Sequence, residues 1–318
     1  MTRTASYIIV GLILTTVFYS CMSENKSGRT DTYSSGAIAF ASDESFSPII
    51  DEERDVFEHT YPDAHLTPIY TNESEAINLL LQDSVWMAIT ARDFKPEELQ
   101  SLKDRRLFPQ SIKFAYDGLA LIQNKQNTDS CISVKDIRRI LTGEVTRWNQ
   151  IYPDSKRGEI TVVFDNKRSA TVHYVEDSIL GGKPITSPNV CAVESTAQVV
   201  EAVEEDPNAI GIIGSNWLND KRDSTNLTFR KEIRPMAVTS LDVANVQNSW
   251  KPYQYYFYNG NYPLVRTLYI LLNDTHMGLP TGFKNFIISQ DKGQMIILKA
   301  GLLPAYGNLT VRSVHVTD

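Results

Sequence analysis

Long apolar runs are scarce in this 318-residue chain. Only Tyr7 to Tyr19, 13 residues, comes near the length of a membrane span. A spanning helix needs about 20 apolar residues, so a polytopic membrane protein is excluded. Cysteine is also scarce. The three present are too few for a disulfide scaffold and lack zinc-site spacing. Positive charge is in deficit, with 31 Lys+Arg against 38 Asp+Glu and a net charge of −7. That balance argues against nucleic acid as the main partner. The G-x-S-x-G, H-E-x-x-H and G-x-x-x-x-G-K-[ST] signatures are missing, and with them the usual sequence marks of a hydrolase elbow, a zinc protease and a P-loop. The rest is ordinary globular composition, 42% hydrophobic and 22% charged, which excludes disorder. The length suits two lobes of about 100 to 200 residues each.

Arg3 followed by the apolar stretch reads as a secretory signal core. It ends in Val17-Phe18-Tyr19-Ser20-Cys21, and a small residue directly before a cysteine resembles a bacterial lipoprotein processing site. The expectation is a signal peptide over 1–20, a lipid anchor at Cys21 and a polar, Ser-rich tether over 21–35. An ordinary cleaved signal with an incidental cysteine is the alternative. An oxidising compartment would let Cys131 and Cys191 pair, or leave them as two separate thiols. The sequence leaves both open.

Beyond the tether, short apolar strands alternate with amphipathic helices. Strands are expected at 37–40, 64–70, 85–90, 112–123, 160–164, 190–193, 210–213, 233–238 and 264–272. Between them, helices start near Pro48, after Asn72 with Glu75 three residues on, at Pro96, after Ser133, at Ser169 and at Thr196. The aromatic run Trp250 to Tyr258 reads as a half-buried edge strand, ahead of a carbohydrate-stacking platform or a partner surface. The alternation predicts an α/β protein with parallel sheets. Ligands of such sheets sit outside the carboxyl ends of strands, where loops lead into helices.

Several stretches resemble periplasmic phosphate-binding proteins of ABC transporters. They are Ala115-Tyr116-Asp117-Gly118-Leu119-Ala120-Leu121-Ile122, the helix Val134 to Leu141 with its Thr142-Gly143-Glu144-Val145-Thr146-Arg147-Trp148 turn, Pro207 to Gly214, Asn261-Tyr262-Pro263-Leu264-Val265-Arg266, and Gly301-Leu302-Leu303-Pro304. Their shared order spans roughly Ile38 to Pro304. The resemblance implies a two-lobed, type 2 Venus-flytrap fold. One lobe would hold 36–115 plus 240–318 and the other 116–239, hinged by two crossing segments. It implies an extracytoplasmic lipoprotein on a bacterial membrane that captures phosphate or a related oxyanion for an ABC permease. Such a protein would be a monomer, without cofactor, metal or catalysis. A lipid-anchored sensor or scaffold for another small ligand is the alternative, with a hydrolase behind it. His173, four residues after Ser169, reads as an exposed helix histidine rather than a general base.

The resemblance also places three ligand loops. The first carries Ser45 and Phe46, preceded by Asp43 and Glu44 where the family has small neutral residues. The second carries Thr90 and Arg92, the latter a candidate anion anchor, with Ala91 where some relatives use an aspartate. The third carries Ser169, Ala170 and Thr171 in place of a Ser-Gly-Thr turn. There Asp165 stands where the family has an arginine, and Arg168 is the neighbouring candidate to replace it. Asp43, Glu44, Asp117 and Asp165 are possible ligand contacts. The acidic substitutions bring negative charge to a place expected to hold an anion. They leave room for another oxyanion or for a ligand carrying a positive group.

Overall fold

The computed structural model describes residues 28–219 and 230–307. The expected signal peptide and Cys21 lie outside the described residues. Of the expected tether, 28–35 is described and is docked rather than free. Arg29 pairs with Asp31 at 2.7 Å and with Asp274 at 2.8 Å, and its guanidinium lies 4.0 Å from the Trp86 ring centre.

The first half of the sheet follows the apolar pattern closely. Strand β1 (Gly36–Asp43) buries Ile38, Phe40 and Ala41. Helix α1 (Ser47–Thr60) opens on Pro48 and turns Ile49, Ile50, Glu53 and Phe57 inward. After β2 (Ala64–Thr71), helix α2 (Glu73–Leu81) is capped by Asn72, whose side chain accepts from the Glu75 N–H. Then come β3 (Met87–Thr90), α3 (Pro96–Asp104) and the 15-residue strand β4 (Gln110–Asn124).

The second half contains β5 (Cys131–Ser133), α4 (Val134–Leu141), β6 (Thr161–Phe164) and α5 (Ala170–Tyr174), which runs on into a π-turn over Val175–Ile179. β7 (Val190–Ala192), α6 (Thr196–Glu205), β8 (Ala209–Gly214) and a 3-10 turn over Ser215–Trp217 follow. The chain continues through β9 (Ile233–Pro235), β10 (Ala237–Thr239), α7 (Gln254–Tyr258), β11 (Val265–Leu272), α8 (Leu279–Ile287), α9 (Gly293–Lys299) and β12 (Leu303–Pro304).

The main sheet runs β2-β1-β3-β11-β4-β8-β6-β7, with β9 and β12 also on β4. It is mixed, which corrects the parallel expectation. β1 lies parallel to β2 and β3, and β6 to β7 and β8. β11 is antiparallel to both β3 and β4, and β4 is antiparallel to β8. Apolar runs report burial on both faces and say little about a neighbour's direction. β4 joins the halves. Gln110 to Gly118 pairs with β11, and Leu119 to Gln123 pairs with β8.

Each half has its own core, giving a two-lobed α/β fold. One gathers Phe40, Phe57, Phe283 and Phe286, with ring centroids 5.2 to 5.5 Å apart. The other gathers Trp148, Phe164, Ile137 and Ile210, and draws in Phe257, Tyr262 and Leu264.

Two local expectations are corrected. The strand expected over 233–238 divides at Met236. β9 pairs with β4 and β10 with β5. Within the aromatic run, Gln254–Tyr258 is a helix that buries Phe257 and exposes Tyr255 and Tyr258. Cys131 and Cys191 are free thiols, the first half-buried and the second exposed.

Candidate functional site

The expected first and third loops face each other across the two halves of the sheet. Asp43 ends β1 with its side chain fully buried. One of its carboxylate oxygens accepts from the Ser45 N–H at 3.0 Å and from the Ser45 hydroxyl at 2.5 Å. The other accepts from the Ala170 N–H at 2.9 Å, at the start of α5 in the opposite half. Glu44 also reaches across, accepting from the Thr196 N–H at 3.1 Å and its hydroxyl at 2.7 Å. The Ser45 carbonyl receives Asn216 Nδ2 at 3.2 Å and Trp217 Nε1 at 2.9 Å.

In the third loop, Asp165 accepts from the Asn166 N–H at 2.9 Å and the Ser169 hydroxyl at 2.7 Å, with Thr171 Oγ1 at 3.4 Å from its second oxygen. Ser169 caps α5, accepting from the Val172 N–H at 3.2 Å. Arg168, the candidate to replace an arginine at 165, is exposed. In the second loop, the Thr90 hydroxyl donates to the Arg92 carbonyl at 2.8 Å. Arg92 is engaged elsewhere, in a two-pronged pair with Glu98 at 2.7 and 2.8 Å. Its first-choice partner is therefore a carboxylate of α3 rather than the cleft.

The cation at the junction is Arg266, on β11, which the sequence reading quoted but did not assign. It is 2% exposed. Sheet register sets it opposite Asp117 of β4, and its Nε and Nη2 donate to one Asp117 oxygen at 3.0 and 2.8 Å. The other Asp117 oxygen accepts from the Ser215 N–H at 2.9 Å and its hydroxyl at 2.7 Å. Arg266 then has nitrogens 3.4 Å from Ser45 Oγ and 3.4 Å from Thr171 Oγ1, and lies 4.6 Å from the Phe46 ring centre. Gly214 permits this approach, since a Cβ there would lie 2.8 Å from Asp117 Oδ2 and 2.9 Å from Arg266 Nη2. A signal for Arg266 was available. A buried aspartate in the middle of a strand calls for a buried cation, and Arg266 is the arginine of the Asn261 to Arg266 stretch.

The site is rich in carboxylates. Burial, and then the charge of Glu73, push the Asp43 carboxyl up. Burial, and then the charge of Asp43, push Asp165 up to about 7. Buried carboxylates in one another's field hold protons that exposed ones lose. Glu73 accepts from the Ala91 N–H at 2.7 Å and lies 2.7 Å from His173 Nδ1. That hydrogen bond raises the histidine, so His173 is a half-buried partner across the halves and not the exposed residue expected. A cavity of about 130 Å³ opens beside Asp43, Glu44, Asn72, Asp165, Ser169 and Glu194. Among the described residues, no group of three His, Cys, Asp or Glu side chains is arranged to hold a metal. What converges is a set of hydroxyl, backbone N–H and guanidinium donors suited to an oxyanion, with carboxylates already among them.

A family model described as PBP superfamily domain matches residues 27–291. The phosphate-binding protein PstS of Staphylococcus saprophyticus subsp. saprophyticus is 21% identical over 251 residues, covering 78% of this chain and 74% of that protein. PstS of Staphylococcus aureus strain bovine RF122 is 22% identical over 255 residues, covering 78% and 72%. Among solved structures, one from Clostridium perfringens is described as a phosphate ABC transporter substrate-binding protein with bound phosphate. It superposes with a TM-score of 0.71 at 21% identity, over 85% of this chain and all of that one. An ABC-type phosphate transport receptor from Vibrio cholerae gives 0.62 at 19%, over 85% and 100%. At these identities the structural likeness bears on the fold. With the family match running through most of the described sheet and both cores, the chain belongs to the PBP superfamily domain family and has its two-lobed periplasmic-binding-protein fold.

Proposed function

We propose that this chain is an extracytoplasmic solute-binding protein that captures phosphate, or a related oxyanion, between its lobes for an ABC permease. The observation that carries the reading is the buried Arg266 guanidinium, set within 3.4 Å of hydroxyls from both halves, Ser45 and Thr171. The relatives named for phosphate binding support it by matching over 78% of this chain. The proposed ligand set is Ser45, Phe46, Ser169, Ala170, Thr171 and Arg266. Thr90 of the second loop is left out, its hydroxyl donating to the Arg92 carbonyl. Arg92 and Arg168 are left out, the first for its bond to Glu98 and the second for its exposure.

The lobes would be 36–115 with 240–318, and 116–239, moving on the crossing segments as a hinge. The protein would bind without turnover, act as a monomer and be anchored through a lipidated Cys21. Isothermal titration calorimetry with inorganic phosphate tests the site. Thr171→Val keeps the side chain's shape and removes its hydroxyl. It is expected to weaken binding roughly ten- to a hundredfold, since a hydrogen bond to a charged group contributes about 1.5 to 3 kcal/mol. Unchanged affinity would contradict the assignment.

A further inference from the structure

We propose that Asp43 is a resident acceptor in the cleft: its carboxyl group fills the donor pocket an oxyanion would use, and ligand enters only by displacing it. This rests on the oxyanion reading above. Three donors converge on that one carboxylate, the Ser45 N–H and hydroxyl from its own loop and the Ala170 N–H from the opposite half. A phosphate oxygen and a carboxylate oxygen ask the same of such donors. The pocket is therefore already satisfied by the chain itself.

Charge makes co-occupancy unfavourable. A phosphate entering beside Asp43 would meet Asp165 and Glu73 as well, all three carboxylates being at most 2% exposed. The cations facing it are Arg266, already bonded to Asp117 at 2.8 Å, and His173, already bonded to Glu73 at 2.7 Å. Any of these carboxyl groups that is ionised repels a phosphate far more strongly in a buried site than in water. Asp43 must turn away before phosphate takes its donors. Its bond to Ala170 also ties the halves together. Asp43 thus sets the affinity of the site.

Calorimetry with inorganic phosphate on wild type, Asp43→Ser and Asp43→Asn tests this. Serine is too short to reach from β1 to Ala170, and leaves the pocket vacant. Asparagine keeps the size but carries no charge, and its amide cannot accept on both sides at once. It carries the test if the serine variant does not fold. Both variants are expected to bind phosphate at least tenfold tighter than wild type. Binding by the variants where wild type shows none supports the proposal equally. Wild type binding phosphate as tightly as both variants, or more tightly, would overturn the displacement and leave the oxyanion reading intact. No binding by wild type or either variant would overturn both.

Discussion

Arg266 and Glu53 are both ionisable and both buried, yet their surroundings treat them in opposite ways. Arg266 has Asp117 as a bonded partner and two hydroxyls in reach. Glu53 is fully buried on the inner face of α1, and neither of its carboxylate oxygens has a hydrogen-bond partner among the described residues. Burial, and secondarily Glu52, push its pKa well up. An acid whose pKa is higher folded than unfolded binds protons preferentially in the folded state. Its contribution is fully present below the unfolded value and is lost as pH rises from there through the folded value. Glu53→Met removes both the charge and the unsatisfied oxygens at similar volume. It is expected to stabilise the protein by about 1 to 3 kcal/mol at neutral pH. The gain should shrink as pH falls from the folded value towards the unfolded glutamate value and level off below it, and a denaturation series across pH checks it. A gain that does not vary with pH would contradict the buried-charge account. The two residues also mark what sequence could and could not supply. Arg92 and Arg168 lie beside the ligand loops in the chain, where a local pattern points to them. Arg266 lies 149 residues from its partner Asp117 and reaches the cleft through strand register, which no local pattern reports.

Among elements, β4 explains most of what was legible. Its apolar pattern reads as a long extended segment, and the resemblance at Asp117-Gly118 implies a crossing segment. The direction of its neighbours was not, because burial on both faces gives the same run of apolar residues in either orientation. Gly118 has a specific role. A Cβ there would lie 2.3 Å from the Phe257 ring, which α7 turns inward. Gly118→Ala must therefore push that ring or bend β4 beside Asp117. It is expected to cost about 1 to 3 kcal/mol in a chemical denaturation series. Adding Phe257→Leu should recover part of the loss, as coupled neighbours do in a double-mutant cycle. Additive losses would show that the ring is not the obstacle. α7 itself was missed for a physical reason. Aromatic residues favour half-buried sheet surfaces on average, and five residues are too few for a helical period to show. The caps at Asn72, Ser133 and Ser169 were legible because a cap is a local interaction, made with an N–H three residues on.

At the scale of the whole molecule, two cores share one mixed sheet, and the described cleft is bridged at several points. Asp43 meets Ala170, Glu44 meets Thr196, Glu73 meets His173, and the Ser45 carbonyl meets Trp217. The order of motifs along the chain was enough to anticipate the two-lobed fold. It did not anticipate that acidic side chains would occupy the donors themselves, since that depends on how the two halves meet. The central claim is that an oxyanion belongs where Asp43 now sits. A crystal structure grown with arsenate tests it most directly, because the arsenic marks the anion by its anomalous scattering. The account predicts one peak between the lobes, with arsenate oxygens within hydrogen-bond distance of Ser45, Ala170, Thr171 and Arg266, and the Asp43 side chain turned away from the Ala170 N–H. A peak elsewhere, or an Asp43 still bonded to Ala170 at saturating arsenate, would contradict it.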